Sequence, residues 1–184
     1  MREFILGGAR SGKSALAERL AAESGLAVTY IATAGGSDAE LARRIERHAA
    51  RRPAHWALVE EPLALGAALR THAQPGQVVL VDCLTVWLAN LLFADGIEFP
   101  DAGPIVPPPA FTRQREDFLL ALQEVRGEVI LVSNEVGMGI VPQGAISRWF
   151  VDEAGRLNQA VAAQCERVQW VAAGLPLSLK DLPC

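Results

Sequence analysis

Short hydrophobic runs alternate with longer amphipathic segments along most of the chain. The runs are rich in Val, Ile and Leu and carry no regular polar alternation, which is typical of strands covered on both faces of a parallel sheet. Ala57–Glu60 is a candidate for a further short strand. Five runs predict buried strands: Phe4–Leu6, Val28–Ala32, Val78–Asp82, Val129–Ser133 and Val168–Ala172.

The segments between these runs have the spacing of helices. A strand-helix alternation of this kind predicts an α/β fold with a mostly parallel central sheet flanked by helices. We find no repeats and no boundary between domains, so residues 1–184 are expected to form one domain. The predicted helices are Ser14–Glu23, Asp38–Arg51, Pro62–Thr71, Leu84–Phe93, Phe111–Val125 and Ala145–Cys165.

One segment breaks the alternation. Asp95–Pro109 contains five prolines, and neither a helix nor a strand persists through such a sequence. We predict a long irregular loop, of the kind that is either functional or loosely ordered.

A glycine-rich motif follows the first predicted strand. Gly7-Gly-Ala-Arg-Ser-Gly-Lys-Ser14 matches G-x-x-x-x-G-K-[ST], and an alanine-rich helix is predicted directly after it. Backbone N–H groups in such a loop surround a polyphosphate at the helix N-terminus, while the lysine reaches the β- and γ-phosphates. The predicted nucleotide-binding residues are Gly7, Gly8, Ala9, Arg10, Ser11, Gly12, Lys13 and Ser14.

A carboxylate is predicted at the end of another strand. Val78-Val-Leu-Val-Asp82 places an aspartate after four apolar residues, at the edge where open α/β sheets bind ligands. Asp82 and the Ser14 hydroxyl are the predicted Mg²⁺ ligands. Asp82 is also a candidate N-cap for the helix that begins near Leu84.

Composition argues against several classes of function and of structural site. The chain has 184 residues, of which 51% are hydrophobic, and a net charge of −4, which argues against general nucleic-acid affinity. Three cysteines without a C-x-x-C pair predict neither a disulfide framework nor a zinc site. We see no signal peptide and no apolar run long enough to span a membrane, so we expect a soluble cytoplasmic protein.

A phosphate loop does not by itself identify the reaction. The guanine-reading N-K-x-D signature of switch GTPases is absent from the sequence. A D-x-x-G match at Asp152–Gly155 falls in a predicted helix, far from the strand that ends at Asp82. The switch GTPase interpretation is therefore rejected.

A charged stretch, RRIERHAARRPAHW at Arg43–Trp56, surrounds one histidine with arginines. Helical spacing places His48 on the inward stripe of its predicted helix. A histidine there is more often a core residue than a catalyst, but nearby Arg47, Arg51 and Arg52 could neutralise phosphate oxygens and favour a neutral imidazole.

Taken together, the motifs resemble a known family. GGARSGKS, YIAT (Tyr30–Thr33), RIERHAARRPAHW, SNEVGMGIVP (Ser133–Pro142) and AGRLNQ (Ala154–Gln159) occur in an order similar to that of the adenosylcobinamide kinase / adenosylcobinamide-phosphate guanylyltransferase family of cobalamin biosynthesis. The resemblance runs from Gly7 to about Asn158. It implies a RecA-like fold and a homotrimer.

The resemblance also implies two reactions at one nucleotide site. A nucleoside triphosphate, GTP or ATP, phosphorylates adenosylcobinamide; GTP then guanylylates a histidine, which passes GMP to adenosylcobinamide-phosphate. The nucleophile corresponds to His48, within H-x-x-x-R-P, and Arg47 occupies the position of a second histidine found in some relatives. The residues implied around GTP are Thr33, Ala49, Ala50, Arg51, Arg52, Glu60 and Asp82.

Two alternatives stay open from the sequence. One is a P-loop small-molecule kinase without a covalent intermediate, and the other is a RecA-like nucleotide-dependent assembly module. Glu135, in the glycine-containing segment after the fourth buried run, is a further candidate for a polar contact with ligand.

Overall fold

A computed structural model describes residues 1–34, 53–94 and 96–181 of the chain. Within these ranges the elements alternate as the hydrophobic pattern predicts. The strands are β1 Arg2–Gly7, β2 Ala27–Ala32, β3 Ala57–Glu60, β4 Gln77–Asp82, β5 Glu128–Asn134, β6 Arg167–Ala172 and β7 Leu175–Asp181. The helices are α1 Lys13–Glu23, α2 Leu65–His72, α3 Leu84–Phe93, α4 Pro109–Glu124 and α5 Ala145–Gln164.

The strands form one seven-stranded sheet in the order β3-β2-β4-β5-β1-β6-β7. The strand pairs from β3 through β6 are all parallel, and only β7 runs antiparallel to its neighbour. The predicted α/β fold with a mostly parallel sheet is confirmed. Because the middle strands are parallel, their carboxyl ends meet along a single edge.

Helices cover both faces of this sheet, which explains why its central strands lack polar alternation. On one face, Trp87 of α3 is fully buried and its ring lies 5.0 Å from that of Phe118. On the other face, Leu16 of α1 and Trp56 belong to the cluster that packs on Ile5. Burial of large apolar side chains on both faces is the main stabilisation of a sheet of this kind.

The edge strand β7 is a feature that the sequence analysis missed. It follows β6 through a two-residue turn in which Ala173 and Gly174 have positive φ angles of 51° and 80°, the combination that favours tight antiparallel hairpins. Leu175, Leu177 and Leu179 alternate with polar residues or proline and are exposed. A search for continuous apolar runs cannot detect such an exposed, alternating strand.

Most predicted helix bounds agree with the structure within two residues. The exception is the helix predicted from Pro62, because α2 begins only at Leu65. The Glu61 carboxylate accepts hydrogen bonds from the Leu63 and Ala64 amides at 2.9 and 2.7 Å, which holds the preceding turn outside the helix. The helix predicted over Asp38–Arg51 lies outside the described residues.

The proline-rich segment contains no helix or strand between residues 96 and 108, in agreement with the prediction. α4 then begins with Pro109 in its first turn, where the missing proline N–H costs no helical hydrogen bond. Within the described parts of the chain, none of the helices is long and apolar enough to cross a membrane.

Candidate active site

The predicted phosphate loop is a tight turn at the carboxyl edge of the sheet. β1 ends at Gly7 and α1 begins at Lys13. Between them, Arg10 and Gly12 have positive φ angles of 56° and 100°, which turn the chain sharply into the helix. The strand, turn and helix predicted around this motif are therefore confirmed.

At two positions of the loop, neighbouring atoms lie too close to accommodate a Cβ. A Cβ on Gly7 would lie 2.4 Å from the Val171 carbonyl oxygen and 2.6 Å from Ser11 Oγ. A Cβ on Gly12 would lie 3.0 Å from Gly174 Cα. The Gly174 amide also donates to the Ser11 carbonyl at 2.7 Å. The loop is thus held tightly against the end of β6 and the turn that follows it.

Lys13 and Ser14 stand where the loop enters the helix. Lys13 is only 7% exposed, and its Nζ donates to the Gly8 carbonyl at 3.0 Å, so the ammonium group lies over the loop. Ser14 is half buried in the first turn of α1, while Ala9 and Arg10 are exposed. The positive end of the helix and this ammonium group together favour an anion.

Asp82 ends β4 at the same edge of the sheet. β5 separates β4 from β1, so the carboxylate lies two strands, or about 10 Å, from the strand that leads into the loop. The Tyr30 hydroxyl donates to Asp82 Oδ2 at 3.3 Å. The predicted role of Asp82 as N-cap of α3 is wrong, because Cys83 holds that position.

Thr33 supports the segment that carries Asp82. Its side chain is fully buried, and its hydroxyl donates to the Cys83 carbonyl at 2.8 Å and accepts from the Cys83 amide at 2.9 Å. Asn90 Nδ2 in turn donates to the Thr33 carbonyl at 2.7 Å. The Thr33 hydroxyl is therefore directed at backbone, and the contact with GTP that the resemblance implies stays a prediction.

Glu60 lies further along the same edge. It ends β3, and its register partner on β2 is Ala32, which is itself the partner of Asp82. The Glu60 side chain is exposed. The structure thus brings the two predicted carboxylates to one edge, separated by the end of β2.

The segment after β5 lies directly beside the phosphate loop. The Glu135 amide donates to the Gly7 carbonyl at 3.1 Å. Glu135 Oε1 accepts from the Gly137 amide at 2.5 Å, so the carboxylate that the sequence suggested as a ligand contact bonds within its own turn. Beyond it, Met138 and Ile140 are 80% and 98% exposed.

A polar cluster between α3 and β5 was not found from the sequence. Thr85 Oγ1 accepts from the Asn134 amide at 2.7 Å and lies 3.1 Å from Ser133 Oγ. Asn158 of α5 donates through Nδ2 to the Asn134 carbonyl at 3.4 Å. Ser133, Asn134 and Asn158 belong to two motifs of the family resemblance, SNEVGMGIVP and AGRLNQ, but these motifs are distant in sequence and did not predict the contact.

His48, Ala49, Ala50, Arg51 and Arg52 lie outside the described residues. The placement of the predicted nucleophile and its arginines relative to the loop stays a prediction.

Few of the described residues could hold Mg²⁺. In residues 1–34, 53–94 and 96–181, no group of three or more His, Cys, Asp or Glu side chains could hold a metal ion. The hydroxyl of Ser14 and the carboxylate of Asp82 are hard oxygen donors of the type that Mg²⁺ prefers, and Mg²⁺ sites of this kind take their remaining ligands from substrate phosphates and water. The donor set fits a metal that binds with a nucleotide.

Solved structures with a similar fold include two secretion ATPases. One is described as a prototypical ATPase from the type III secretion system of pathogenic bacteria, and the other is EscN from enteropathogenic E. coli. Each is 14% identical with a TM-score of 0.53, over 96% of this chain and 56% and 47% of those chains. The likeness confirms a RecA-like P-loop fold and shows the fold alone.

Sequence relatives cover the whole chain. The bifunctional adenosylcobalamin biosynthesis protein CobP of Pseudomonas aeruginosa is 58% identical over 100% of this chain and 99% of its own length. The corresponding CobU protein of Escherichia coli K12 is 41% identical over 98% and 100%. The family model described as cobinamide kinase / cobinamide phosphate guanyltransferase matches residues 3–179. The chain therefore belongs to the cobinamide kinase / cobinamide phosphate guanyltransferase family, a family of transferases.

Proposed function

We propose that this protein is a bifunctional enzyme of adenosylcobalamin biosynthesis that uses one nucleotide site for two reactions. First it phosphorylates the hydroxyl on the aminopropanol arm of adenosylcobinamide, and then it transfers GMP from GTP to the resulting phosphate. The observation that carries the proposal is the shared edge of Gly7–Ser14 and Asp82 in a chain of this family. Residues 1–184 act as one domain, assembled as a homotrimer.

In the kinase step, the loop and Lys13 hold the β- and γ-phosphates of GTP or ATP. The acceptor hydroxyl attacks the γ-phosphorus, the bond to the β-phosphate oxygen breaks, and the nucleoside diphosphate leaves. Positioning and charge neutralisation account for most of the catalysis in phosphoryl transfer. Lys13 suits this role because it is already held over the loop by Gly8.

In the guanylyl step, an imidazole nitrogen of His48 attacks the α-phosphorus of GTP. Pyrophosphate leaves, and a phosphoramidate joins His48 to GMP. A phosphate oxygen of adenosylcobinamide-phosphate then attacks the same phosphorus, which yields adenosyl-GDP-cobinamide and frees His48. A covalent intermediate of this kind divides one difficult transfer into two easier ones.

The remaining implied residues surround the nucleotide. Ser14 and Asp82 would hold Mg²⁺, which neutralises charge on the phosphates when it is bound. Arginine side chains suit phosphate geometry, so Arg51 and Arg52 stabilise the charge that develops on the α-phosphate. Thr33, Ala49, Ala50 and Glu60 complete the site for GTP.

The decisive experiment uses GTP labelled at the α-phosphorus. Wild-type protein, His48→Ala and a control, His55→Ala, are incubated with Mg²⁺ and then denatured. His55 is exposed and has no assigned role. We expect label that is labile to acid and stable to base on the wild type and on His55→Ala, and none on His48→Ala. Absence of label from the wild type, with nucleotide binding intact, would favour a plain P-loop kinase.

Two further variants test the shared site. Lys13→Ala should eliminate both reactions, and retained guanylylation would contradict a single nucleotide site. Asp82→Asn should raise the Mg²⁺ concentration that gives half-maximal activity. An unchanged metal requirement would remove Asp82 from the metal site.

A further inference from the structure

An exposed run of apolar residues lies beside the phosphate loop. Residues 136–141, which follow β5, contain four large apolar side chains, and Met138, Ile140 and Val141 are 80%, 98% and 73% exposed. Single apolar side chains on a surface are ordinary, but several within six adjacent residues are typical of a binding surface. We call residues 136–141 the apolar segment.

The apolar segment begins at the nucleotide site. Glu135, the residue before it, donates its amide to the Gly7 carbonyl at 3.1 Å, so the segment starts against the phosphate loop. A chain advances at most about 3.6 Å per residue, so the Cα atoms of Met138 and Ile140 lie within about 11 Å and about 18 Å of that of Glu135. A ligand of that size can rest on the apolar segment and still reach the phosphates held by the loop.

Hydrogen bonds hold the apolar segment at both ends. At its start, Glu135 Oε1 accepts a hydrogen bond from the Gly137 amide at 2.5 Å. Just after its end, Arg148 of α5 donates through Nη1 to the Pro142 carbonyl at 3.1 Å. The backbone is thus fixed while Met138 and Ile140 stay exposed, and a fixed surface loses less entropy when a ligand binds.

Gly139 keeps the middle of the apolar segment open. A Cβ at this position would meet nothing within 4 Å, and the φ angle of Gly139 is not positive. Neither space nor backbone conformation therefore requires glycine here. The missing side chain leaves the backbone between Met138 and Ile140 accessible to a broad ligand.

The acceptor substrate has the shape and chemistry for this surface. Adenosylcobinamide and its phosphate share a broad corrin macrocycle with methyl groups on its rim, and the reacting group stands at the end of one flexible arm. When that arm reaches the nucleotide, the macrocycle must rest on a surface next to the loop. Four apolar side chains offer much less area than the roughly 800 Å² per partner of a typical protein interface, which favours this ligand over a second copy of the chain.

We propose that the apolar segment binds the methyl-bearing rim of the corrin macrocycle in both reactions and thereby holds the acceptor group at the nucleotide. The inference rests on the proposed function, from which it takes the corrinoid substrate and the nucleotide site at Gly7–Ser14. It goes beyond that function because it assigns the macrocycle a binding surface on this chain.

The test measures binding of adenosylcobinamide by equilibrium dialysis, with Mg²⁺ and a GTP analogue that has a β,γ-imido bridge. The visible absorbance of the corrinoid reports the bound fraction. In the double variant Met138→Ser/Ile140→Ser we expect about tenfold weaker corrinoid binding, as for loss of one buried apolar side chain. Affinity for the GTP analogue should change less than about twofold. Ile140→Leu keeps the apolar area and should bind the corrinoid like the wild type.

Leu120→Ser is the matched control. Leu120 of α4 is also a large apolar residue on the surface, 53% exposed, but it lies outside the apolar segment. Its replacement should leave corrinoid binding at the wild-type value. Unchanged binding in the double variant, or an equal loss in Leu120→Ser, would overturn the inference.

The two reactions provide a second readout. Because both acceptors share the macrocycle, the double variant should raise KM for adenosylcobinamide and for adenosylcobinamide-phosphate by the same factor, with kcat nearly unchanged. Labelling of the protein by GTP needs no corrinoid and should keep its wild-type rate. A lower kcat with an unchanged KM would contradict a binding role for the apolar segment.

The experiment also separates this inference from the proposed function. If the wild type binds the GTP analogue but no adenosylcobinamide, both fall together. If the wild type binds and phosphorylates adenosylcobinamide and the double variant does so with the same affinity, only the role of the apolar segment is lost. Light scattering tests the other occupant: a change of oligomeric state in the double variant would assign the segment to contacts between copies of the chain and overturn the inference.

Discussion

The Thr33 hydroxyl and the Cys83 backbone exchange two hydrogen bonds, one donated at 2.8 Å and one accepted at 2.9 Å. The two residues are separated by 50 positions in the chain, and their contact joins the end of β2 to the segment between β4 and α3. Because both lie in the protein interior, water cannot replace either bond when the hydroxyl is removed. The position of Asp82 at the sheet edge therefore depends on a threonine that directly follows another strand, β2.

This contact predicts that Thr33→Val strongly destabilises the protein. The variant keeps the side-chain shape but leaves the buried Cys83 amide without its partner, whereas the Cys83 carbonyl keeps its bond from the Trp87 amide. We expect the free energy of unfolding to fall by about 2 kcal/mol. Thr33→Ser keeps the hydroxyl and should lose less stability. Urea unfolding measures the free energy of unfolding of both variants. In the control Thr71→Val, an exposed hydroxyl bonded within α2 is removed, and the change should stay within about 0.5 kcal/mol.

Alanine substitutions at the adjacent glycines Gly7 and Gly8 should have different effects on the thermal midpoint. Gly7→Ala places a Cβ 2.4 Å from the Val171 carbonyl, so β1 and β6 must separate or the loop must shift; we expect a loss of several degrees in thermal midpoint. A Cβ at Gly8 meets nothing within 4 Å, and Gly8→Ala should melt close to the wild type. Similar midpoints for the two variants would show that the close approach at Gly7 does not constrain the loop.

The buried Glu153 side chain predicts that its two arginine partners contribute unequally to the stability of the protein. Its side chain is 10% exposed and pairs with Arg115, which is 27% exposed, and with Arg156, which is 62% exposed. An exposed ion pair contributes about 0–1 kcal/mol, whereas loss of a buried partner costs more because the remaining charge stays desolvated. Arg115→Ala should therefore destabilise the protein by about 2 kcal/mol or more, and Arg156→Ala by less than about 1 kcal/mol. Equal losses in urea unfolding would contradict this ranking.

The ion pair between Arg2 and Glu166 predicts a pH-dependent contribution to stability. Partial burial opposes ionisation of Glu166, but hydrogen bonds from Arg2 outweigh it and lower the pKa of Glu166 from 4.5 to about 2. A carboxylate with a lowered pKa stabilises the fold fully above its unfolded-state pKa, and this contribution is lost as the pH falls toward the folded-state value. The stability difference between the wild type and Glu166→Gln should be constant above pH 4.5 and should shrink as the pH falls to about 2.

The same comparison in high salt provides a check on the Glu166 prediction. The Glu166 side chain is 36% exposed, so salt should reduce the difference between the two proteins. A stability difference that does not change between pH 6 and pH 2 would contradict the assigned pair.

Local signals were sufficient for the phosphate loop and for most of the sheet. The glycine motif is contiguous, and the buried runs before Asp82 and Asn134 are continuous because helices cover both faces of the strands. The edge strand β7 was missed, since one of its faces carries exposed leucines and its pattern is interrupted by Pro176. The start of α2 was misplaced because the carboxylate of Glu61, outside the helix, holds the preceding turn.

The α/β alternation could be predicted from local patterns in the chain, as could the loop Gly7–Ser14 and the strand-end Asp82, because each depends on adjacent residues. The position of β5 between β1 and β4 is known only from the folded arrangement of the strands. That strand order places Asn134 between the loop and Asp82, and brings Thr33 to Cys83 and Thr85 to Asn134. Contacts of this kind join residues about fifty positions apart, and they form only when burial of apolar side chains on both faces of the sheet selects one order of strands.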